Sequence, residues 1–269
     1  MPPRDPFPQR IVCLTEETTE TLYLLGEDWR IVGISGFTVR PPQARKEKPR
    51  VSAFTSAKIE RILELEPDLV LGFSDLQAGI AADLARAGLE VHVFNHRSVA
   101  EIFRMIRLLG GMIGCELKTA ALVGQLEANL DEVRLRARQL PRRPRVYFEE
   151  WDEPQISGIR WVSELITLAG GDDCFPELAA CALGRERIIA DPLEVPRRAP
   201  DIILGSWCGK KFQPSAVAAR QGWGDVPAVR TGFVREIKSA VILQPGPAAL
   251  TDGVRAIQAV FAEWAAQGQ

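Results

Sequence analysis

The sequence predicts an α/β protein in two lobes, each built on a parallel sheet, with one long helix between them. Three observations lead there. Short β-branched runs alternate with helical patterns from the first strand onward, the order that gives parallel sheets covered by helices. Residues 115–140 form one uninterrupted amphipathic stretch in the middle of the chain. The segment Pro67-Asp68-Leu69-Val70-Leu71-Gly72 returns beyond that stretch as Pro200-Asp201-Ile202-Ile203-Leu204-Gly205.

Taken in order, residues 10–14 read as a strand, 18–25 as a helix closed by Gly26, and 30–34 as a second strand. A Pro-rich loop follows over residues 35–56, with Pro41, Pro42 and Pro49. Next come a short helix at 58–65, a strand at 69–72, a helix at 77–87 ended by Gly88, a strand at 91–94 and a helix at 99–109. In the long stretch Val123, Leu126, Leu130, Val133, Ala137 and Leu140 recur at three and four, while Glu127, Asp131, Arg134 and Arg138 fall largely off that stripe. Pro141 stops the helix because it cannot continue the hydrogen-bond ladder. The pattern then restarts: strand 145–148, helix 161–169, strands 201–204 and 233–237, and a final helix from about 249 to 264. The expected limits are 1–113 for the first lobe, 114–141 for the connecting helix and 142–269 for the second lobe. An ordinary core helix is the alternative for 115–140, and chance likeness of apolar strands is the alternative for the repeat. A second match, Glu20–Gly26 against Ser163–Gly170 in the same order, favours two lobes.

Composition narrows the function classes. The 269 residues are 46% apolar and 25% charged with a net charge of −2, values typical of a globular chain. No basic stripe marks a nucleic-acid partner. No apolar run approaches the roughly 20 residues that span a bilayer, so membrane insertion is not expected. The opening residues carry Pro and Arg where a secretory leader has an apolar core. Five cysteines, Cys13, Cys115, Cys174, Cys181 and Cys208, are an odd count without paired metal-ligand spacing. Both features point to a reduced, cytoplasmic setting, or to a periplasmic one if a leader has been removed.

In open parallel sheets ligands bind beyond the carboxyl ends of the strands. In the first half those ends carry Thr15, Glu16 and Glu17; Phe37 and Phe54; Phe73, Ser74 and Asp75; and Asn95 with His96. In the second half they carry Glu149, Glu150, Trp151 and Asp152; Ser206, Trp207, Cys208, Lys210 and Lys211; and Lys238 with Ser239. Aromatic faces with a few polar groups make a binding cleft for a bulky or flat ligand rather than a reaction centre. Core packing is the alternative for each ring. Trp151 and Trp207 are expected to be open, since EEWDEP and GSWCGKK surround them with polar residues. Glu150 and its acidic neighbours suit a metal or acid–base role only with partners from elsewhere, and a salt-bridged rim with Lys210 is the simpler reading. His96 is placed to ligate a metal carried by a ligand, Cys208 to act as a nucleophile activated by nearby lysines, each on the strength of one residue. Loops of the GxxxxGK[ST], GxSxG and HExxH types are absent.

The stretches RIVCLTEETTETLYLLG, VGISGFTVRPPQA, VSAFTSAKIERILELEPDLVLGF and LARAGLEVHVFNHRSVAEI, with PDIILG, WGDVPAV and ILQPGPAAL later, resemble in order the cobalamin- and iron-siderophore-binding proteins of ABC importers. The resemblance implies two Rossmann-like lobes joined by one rigid helix, with a cobalamin-like corrinoid or other large metal chelate held between them by a non-catalytic monomer. It places Phe37, Phe54 and Phe73 where the family's first-lobe aromatics lie, though as Phe rather than Tyr or Trp. It also implies an ABC permease as partner, docked by one Glu per lobe. Glu60 in KIERI matches the first, while Leu193 stands at the second position with Glu194 one residue off. Haem or a ferric siderophore is the alternative ligand. A cytosolic enzyme using Glu150, Cys208 and Lys210, and an interaction module that buries Trp151 and Trp207 against a partner, are the alternatives from other classes.

Overall fold

The structure, a computed structural model, describes residues 6–267. The outer limits expected for the lobes, residues 1 and 269, and the first five residues of the segment read for a leader lie outside the described residues. The chain packs as two compact units, Met1–His96 with Ala100–Gln125, and Arg97–Val99 with Leu126–Gln269.

Unit 1 is an all-parallel sheet of β1 (Ile11–Cys13), β2 (Ile31–Ser35), β3 (Arg50–Ser52), β4 (Leu69–Phe73) and β5 (Val91–Phe94) in the order β3-β2-β1-β4-β5. The helices are α1 (Glu16–Leu24), α2 (Ala44–Glu47), α3 (Ile59–Leu63), α4 (Ala78–Arg86) and α5 (Val99–Met112). The chain runs outward from β1 through β2 and β3, then returns to β4 on the other side of β1. That reversal is the switch point at which ligands bind in such sheets. β3 is a correction to the sequence reading, which left residues 50–52 inside a loop. The strand is three residues long, yet Val51 is buried and packs with Val12, Leu14, Ile62, Val70 and Leu84.

Unit 2 is a mixed sheet in the order β10-β9-β6-β7, from β6 (Arg145–Asp152), β7 (Gln155–Ser157), β8 (Asp172–Asp173), β9 (Ile202–Gly205) and β10 (Val234–Glu236). β6 pairs in parallel with β9 and β8 and antiparallel with β7. The antiparallel strand departs from the expected parallel sheet. It arises because Glu153 and Pro154 turn the chain straight back, and antiparallel strands need only such a short connection. The helix α7 (Arg160–Leu168) and a buried cluster of Tyr147, Phe175, Trp207, Phe212 and Trp223 complete the core.

The long helix α6 (Glu116–Ala137) carries the boundary between the units at Gln125 and Leu126. Val123, Leu126, Leu130 and Val133 are buried, as the stripe predicts. The helix ends three residues before the expected Leu140. Gln139 and Leu140 donate instead to the carbonyls three residues back, a tightened last turn ahead of Pro141. Final residues 249–264 are likewise not one α-helix: Ala249–Gly253 is a π-helical turn and Val254–Gln267 the α-helix. Asn129 on α6 donates its Nδ2 to Leu250 O of that turn at 2.6 Å.

The repeat has a shared structural job. In unit 1 the Asp68 carboxylate accepts the N–H groups of Gln9 and Arg10 at 2.7 and 2.8 Å, just before β1. In unit 2 Asp201 accepts Arg145 N–H at 2.8 Å at the start of β6. Each Asp backbone N–H also donates to the Arg10 or Arg145 carbonyl. The two PD segments thus lock an interior strand to its neighbour in the same way. β4 and β9 are fully buried, which explains their continuous apolar run.

Candidate functional site

At the carboxyl end of the unit 1 sheet, the structure presents two rings to solvent. Phe37, past β2, is 58% exposed and Phe54, past β3, is 36% exposed, while Phe73 at the end of β4 is buried. His96 lies against Phe73 edge to face, with ring centroids 4.9 Å apart. It is 4% exposed, so the imidazole read as placed to ligate a ligand-borne metal is packed beneath the surface against Phe73.

Two sets of buried polar groups fix these rings. Gln77, wholly buried, accepts Phe73 N–H on Oε1 at 2.9 Å and donates Nε2 to Phe54 O at 2.9 Å. One amide therefore ties the ends of β3 and β4 together. At the start of α1, Glu16 Oε1 accepts Val39 N–H at 2.8 Å and Glu20 Oε1 accepts Arg40 Nε at 2.9 Å. Those bonds hold the loop that carries Phe37. Glu17, between them, accepts the Thr15 hydroxyl at 2.5 Å. Burial pushes the Glu16 and Glu17 carboxyls up to about 7, with the neighbouring carboxylates adding to the effect. Burial also pushes the Cys13 thiol up to about 12, which removes it as a nucleophile.

In unit 2 the structure brings Trp151, Trp207, Lys210 and Asp152 together and separates Glu150 from them. Lys210 Nζ sits 2.6 Å from Asp152 Oδ2 and lies over the Trp207 and Trp151 rings at 4.9 and 5.6 Å. The acidic rim read from the sequence is thus partly neutralised by this lysine. Glu150 turns instead to Arg187, whose two terminal nitrogens donate to it at 2.7 and 2.8 Å. Trp151 is half-buried and donates Nε1 to Glu153 O. Trp207 corrects the expectation of an open ring. It is 4% exposed, stacks edge-on against Phe212 at 4.9 Å, and donates Nε1 to Glu149 Oε1 at 3.0 Å. Its polar sequence neighbours misled because the groups that surround the ring come from other elements. Glu149, wholly buried, also accepts the Tyr147 hydroxyl and both terminal nitrogens of Arg220, so every lone-pair direction of this carboxylate is engaged.

The docking residues expected from the resemblance differ in state. Glu60 is exposed in the first turn of α3. Glu194 is half-buried, and its two oxygens are taken by Arg197 and Arg198 at 2.8 and 2.9 Å. Cys208 is exposed and His92, which burial shifts down, packs edge-on to Phe94 at 4.4 Å. No group of three or more His, Cys, Asp or Glu that could hold a metal ion exists among the described residues. None of their helices is long and apolar enough to cross a membrane.

Sequence reasoning missed Gln77, Arg187 and Arg220. Gln77 stands where a helix begins and nothing in its spacing marks it. The two arginines are 37 and 71 positions from the carboxylates they pair with.

Comparison with known proteins fits this architecture. The chain is 25% identical over 256 residues to an uncharacterized ABC transporter substrate-binding lipoprotein of Bacillus subtilis, covering 92% of this chain and 78% of that one. It is 29% identical over 180 residues to the vitamin B12-binding protein of Vibrio cholerae, covering 64% of this chain and 63% of that one. Among solved structures, the periplasmic vitamin B12-binding protein of Vibrio cholerae superposes with a TM-score of 0.75 at 23% identity, covering 98% of this chain and all of that one. The apo periplasmic heme-binding protein of Roseiflexus superposes at 0.78 and 24% identity, covering 94% of this chain and 99% of that one. A periplasmic binding protein model matches residues 11–241, most of both units, and the chain belongs to the periplasmic binding protein family.

Proposed function

We propose that this chain is a substrate-binding protein that holds a cobalamin-like corrinoid, or another large metal chelate, and delivers it to an ABC permease, acting by binding and not by turnover. The observation that carries the reading is the pair of exposed rings, Phe37 and Phe54, held at the carboxyl end of the unit 1 sheet by Glu16 and Gln77. Exposed aromatics on loops fixed by buried hydrogen bonds are suited to a large flat ligand, because the rings lose little freedom on binding. Vitamin B12-binding and cobalamin-binding relatives at 29% and 24% identity support the corrinoid. Trp151 with Lys210, and Glu150 fixed by Arg187, offer a second polar-aromatic face at the end of β6. His96 and Trp207 act by supporting neighbours rather than by touching ligand.

Glu60 is the better of the two docking residues, being exposed, whereas Glu194 reaches a partner only by giving up Arg197 and Arg198. The lipoprotein relative favours a chain that works outside the cytoplasm. Titration of the purified protein with cyanocobalamin, haemin and a ferric siderophore, followed by tryptophan fluorescence and ligand absorbance, tests the reading. Saturation by cyanocobalamin at micromolar concentration is expected. Saturation by haemin or the siderophore alone moves the assignment to that chelate, and a flat response to all three sinks it.

A further inference from the structure

We propose that a second site, at the opposite end of the unit 2 sheet's strands from the aromatic face, binds a phosphate-bearing anion. Four arginines, Arg134, Arg138, Arg142 and Arg143, line a pocket of about 460 Å³ at the end of α6. That volume is within the range of small-molecule sites, roughly 300–1,000 Å³. The pocket sits by the amino ends of β6, β8 and β9, whereas Trp151 and Lys210 lie at the other end of β6 or beyond β9. No carboxylate lines it.

The pairing of the four guanidinium groups leaves both charge and donors for a ligand. Arg134 gives one terminal nitrogen to Asp131 at 2.6 Å. Arg142 gives its two terminal nitrogens to Asp201 at 2.8 and 3.0 Å and stacks over Trp264 at 4.3 Å, which fixes its plane. Arg143 is anchored by Asp172 at 2.6 Å and by the Gly171 carbonyl. Arg138 pairs with no carboxylate among the described residues, so the lining keeps one uncompensated positive charge. Each of the three paired groups still has N–H donors to spare, because a guanidinium carries five. Ala137, Leu140 and Leu168, with Thr167, whose hydroxyl donates to Ser163 O, form the remaining wall, and a largely apolar wall beside cations strengthens their field. Several guanidinium groups around one concavity suit the tetrahedral oxygens of a phosphate, which accept N–H donors two at a time. A monocarboxylate would engage one fork and leave the others idle. The ligand class is therefore a phosphate ester or diphosphate, whether free in solution or as the headgroup of a lipid.

The test uses the full chain, with inorganic pyrophosphate as the soluble probe in calorimetry. Phosphatidylcholine vesicles with and without phosphatidic acid form the second arm. Saturable pyrophosphate binding that Arg138→Ala weakens roughly tenfold or more, the worth of one hydrogen bond to a charged group, supports the site. Binding to the phosphatidic acid vesicles alone, weakened in the same way, supports it with the lipid headgroup as source. Arg138→Lys, which keeps the charge and loses the fork, is expected to fall between. Arg138 is exposed and unpaired, so its variants keep the wild-type unfolding midpoint, and their cyanocobalamin titration is unchanged. The proposal is overturned if neither probe binds at millimolar concentration, or if binding is the same in Arg138→Ala and Arg134→Ala as in the wild type.

Discussion

Replacing Gln77 by Met is the sharpest perturbation of the candidate site, because the volume is kept and only the amide is lost. In the wild type the side chain accepts Phe73 N–H and donates to Phe54 O, both at 2.9 Å, and reaches Leu14 O at 3.5 Å. Phe73 N is buried, and leaving a buried donor unsatisfied costs about 1–3 kcal/mol. Phe54 O is partly accessible, so water replaces its partner and the added loss is about 0.5–1.5 kcal/mol. A total of about 1.5–4.5 kcal/mol follows, which for a chain of this size lowers the melting midpoint by roughly 3–18 °C. Urea unfolding followed by tryptophan emission measures it. The second readout is ligand affinity: with the ends of β3 and β4 untied, Phe54 no longer holds its place, and chelate binding weakens even at a temperature where the variant is fully folded. Gln77→Glu keeps the acceptor for Phe73 N but loses the donor to Phe54 and buries a charge, so it is expected to bind no better than Gln77→Met. A Gln77→Met protein within 0.5 kcal/mol of wild type, with unchanged affinity, refutes the assignment of Gln77 as the clamp.

Three further outcomes are expected. Glu149→Ala leaves Arg220, the Tyr147 hydroxyl and Trp207 Nε1 without their shared acceptor, and by the cost of breaking a buried ion pair should destabilise by about 3–5 kcal/mol in urea unfolding. Glu17 titrates near 7 when folded against about 4.3 when unfolded, so its burial opposes folding only once it ionises. Stability is then greatest below about pH 4.3 as far as this group is concerned and declines as pH rises from there through 7, by about 4 kcal/mol in all; Glu17→Gln should flatten that slope in a melting series and be the more stable protein at pH 8. Gly205→Ala would set a Cβ 1.8 Å from Phe212 Cε2, so the ring must move and stability should drop by about 1–3 kcal/mol, readable as a lower urea midpoint.

The chain made the interior strands and helix faces legible and the buried polar connections illegible. β4 and β9 could be read because burial on both faces demands an unbroken apolar run, and their preceding Pro-Asp does the same locking work in each unit. The stripe on α6 was visible for the same reason, as a period that only a half-buried helix requires. β3 and β7 escaped because three residues are too few to show a period, and β7 depends on a turn at Glu153 and Pro154 rather than on its own composition. Phe37 and Phe54 stand as candidates on the loop after β2, with core packing as the alternative, and both rings are exposed, yet the same reasoning opened Trp207 when it is closed. Neighbours in sequence describe a residue's surroundings only where the fold adds none, and the Glu149 that satisfies Trp207 stands 58 positions away. Gln77, Arg187 and Arg220 stayed hidden because a hydrogen bond between distant elements leaves no pattern along the chain.

The central claim is that the unit 1 rings hold a corrinoid, and equilibrium dialysis of cyanocobalamin against wild type and the Phe37→Ala, Phe54→Ala double variant tests it most directly. Both rings are exposed at 58% and 36%, so their removal should leave the fold intact. The account expects saturable one-to-one binding at micromolar or lower concentration in the wild type and at least tenfold weaker binding in the double variant, about 1.4 kcal/mol or more of lost contact. Equal affinity in the two proteins, or no retention of cyanocobalamin by the wild type, would contradict it.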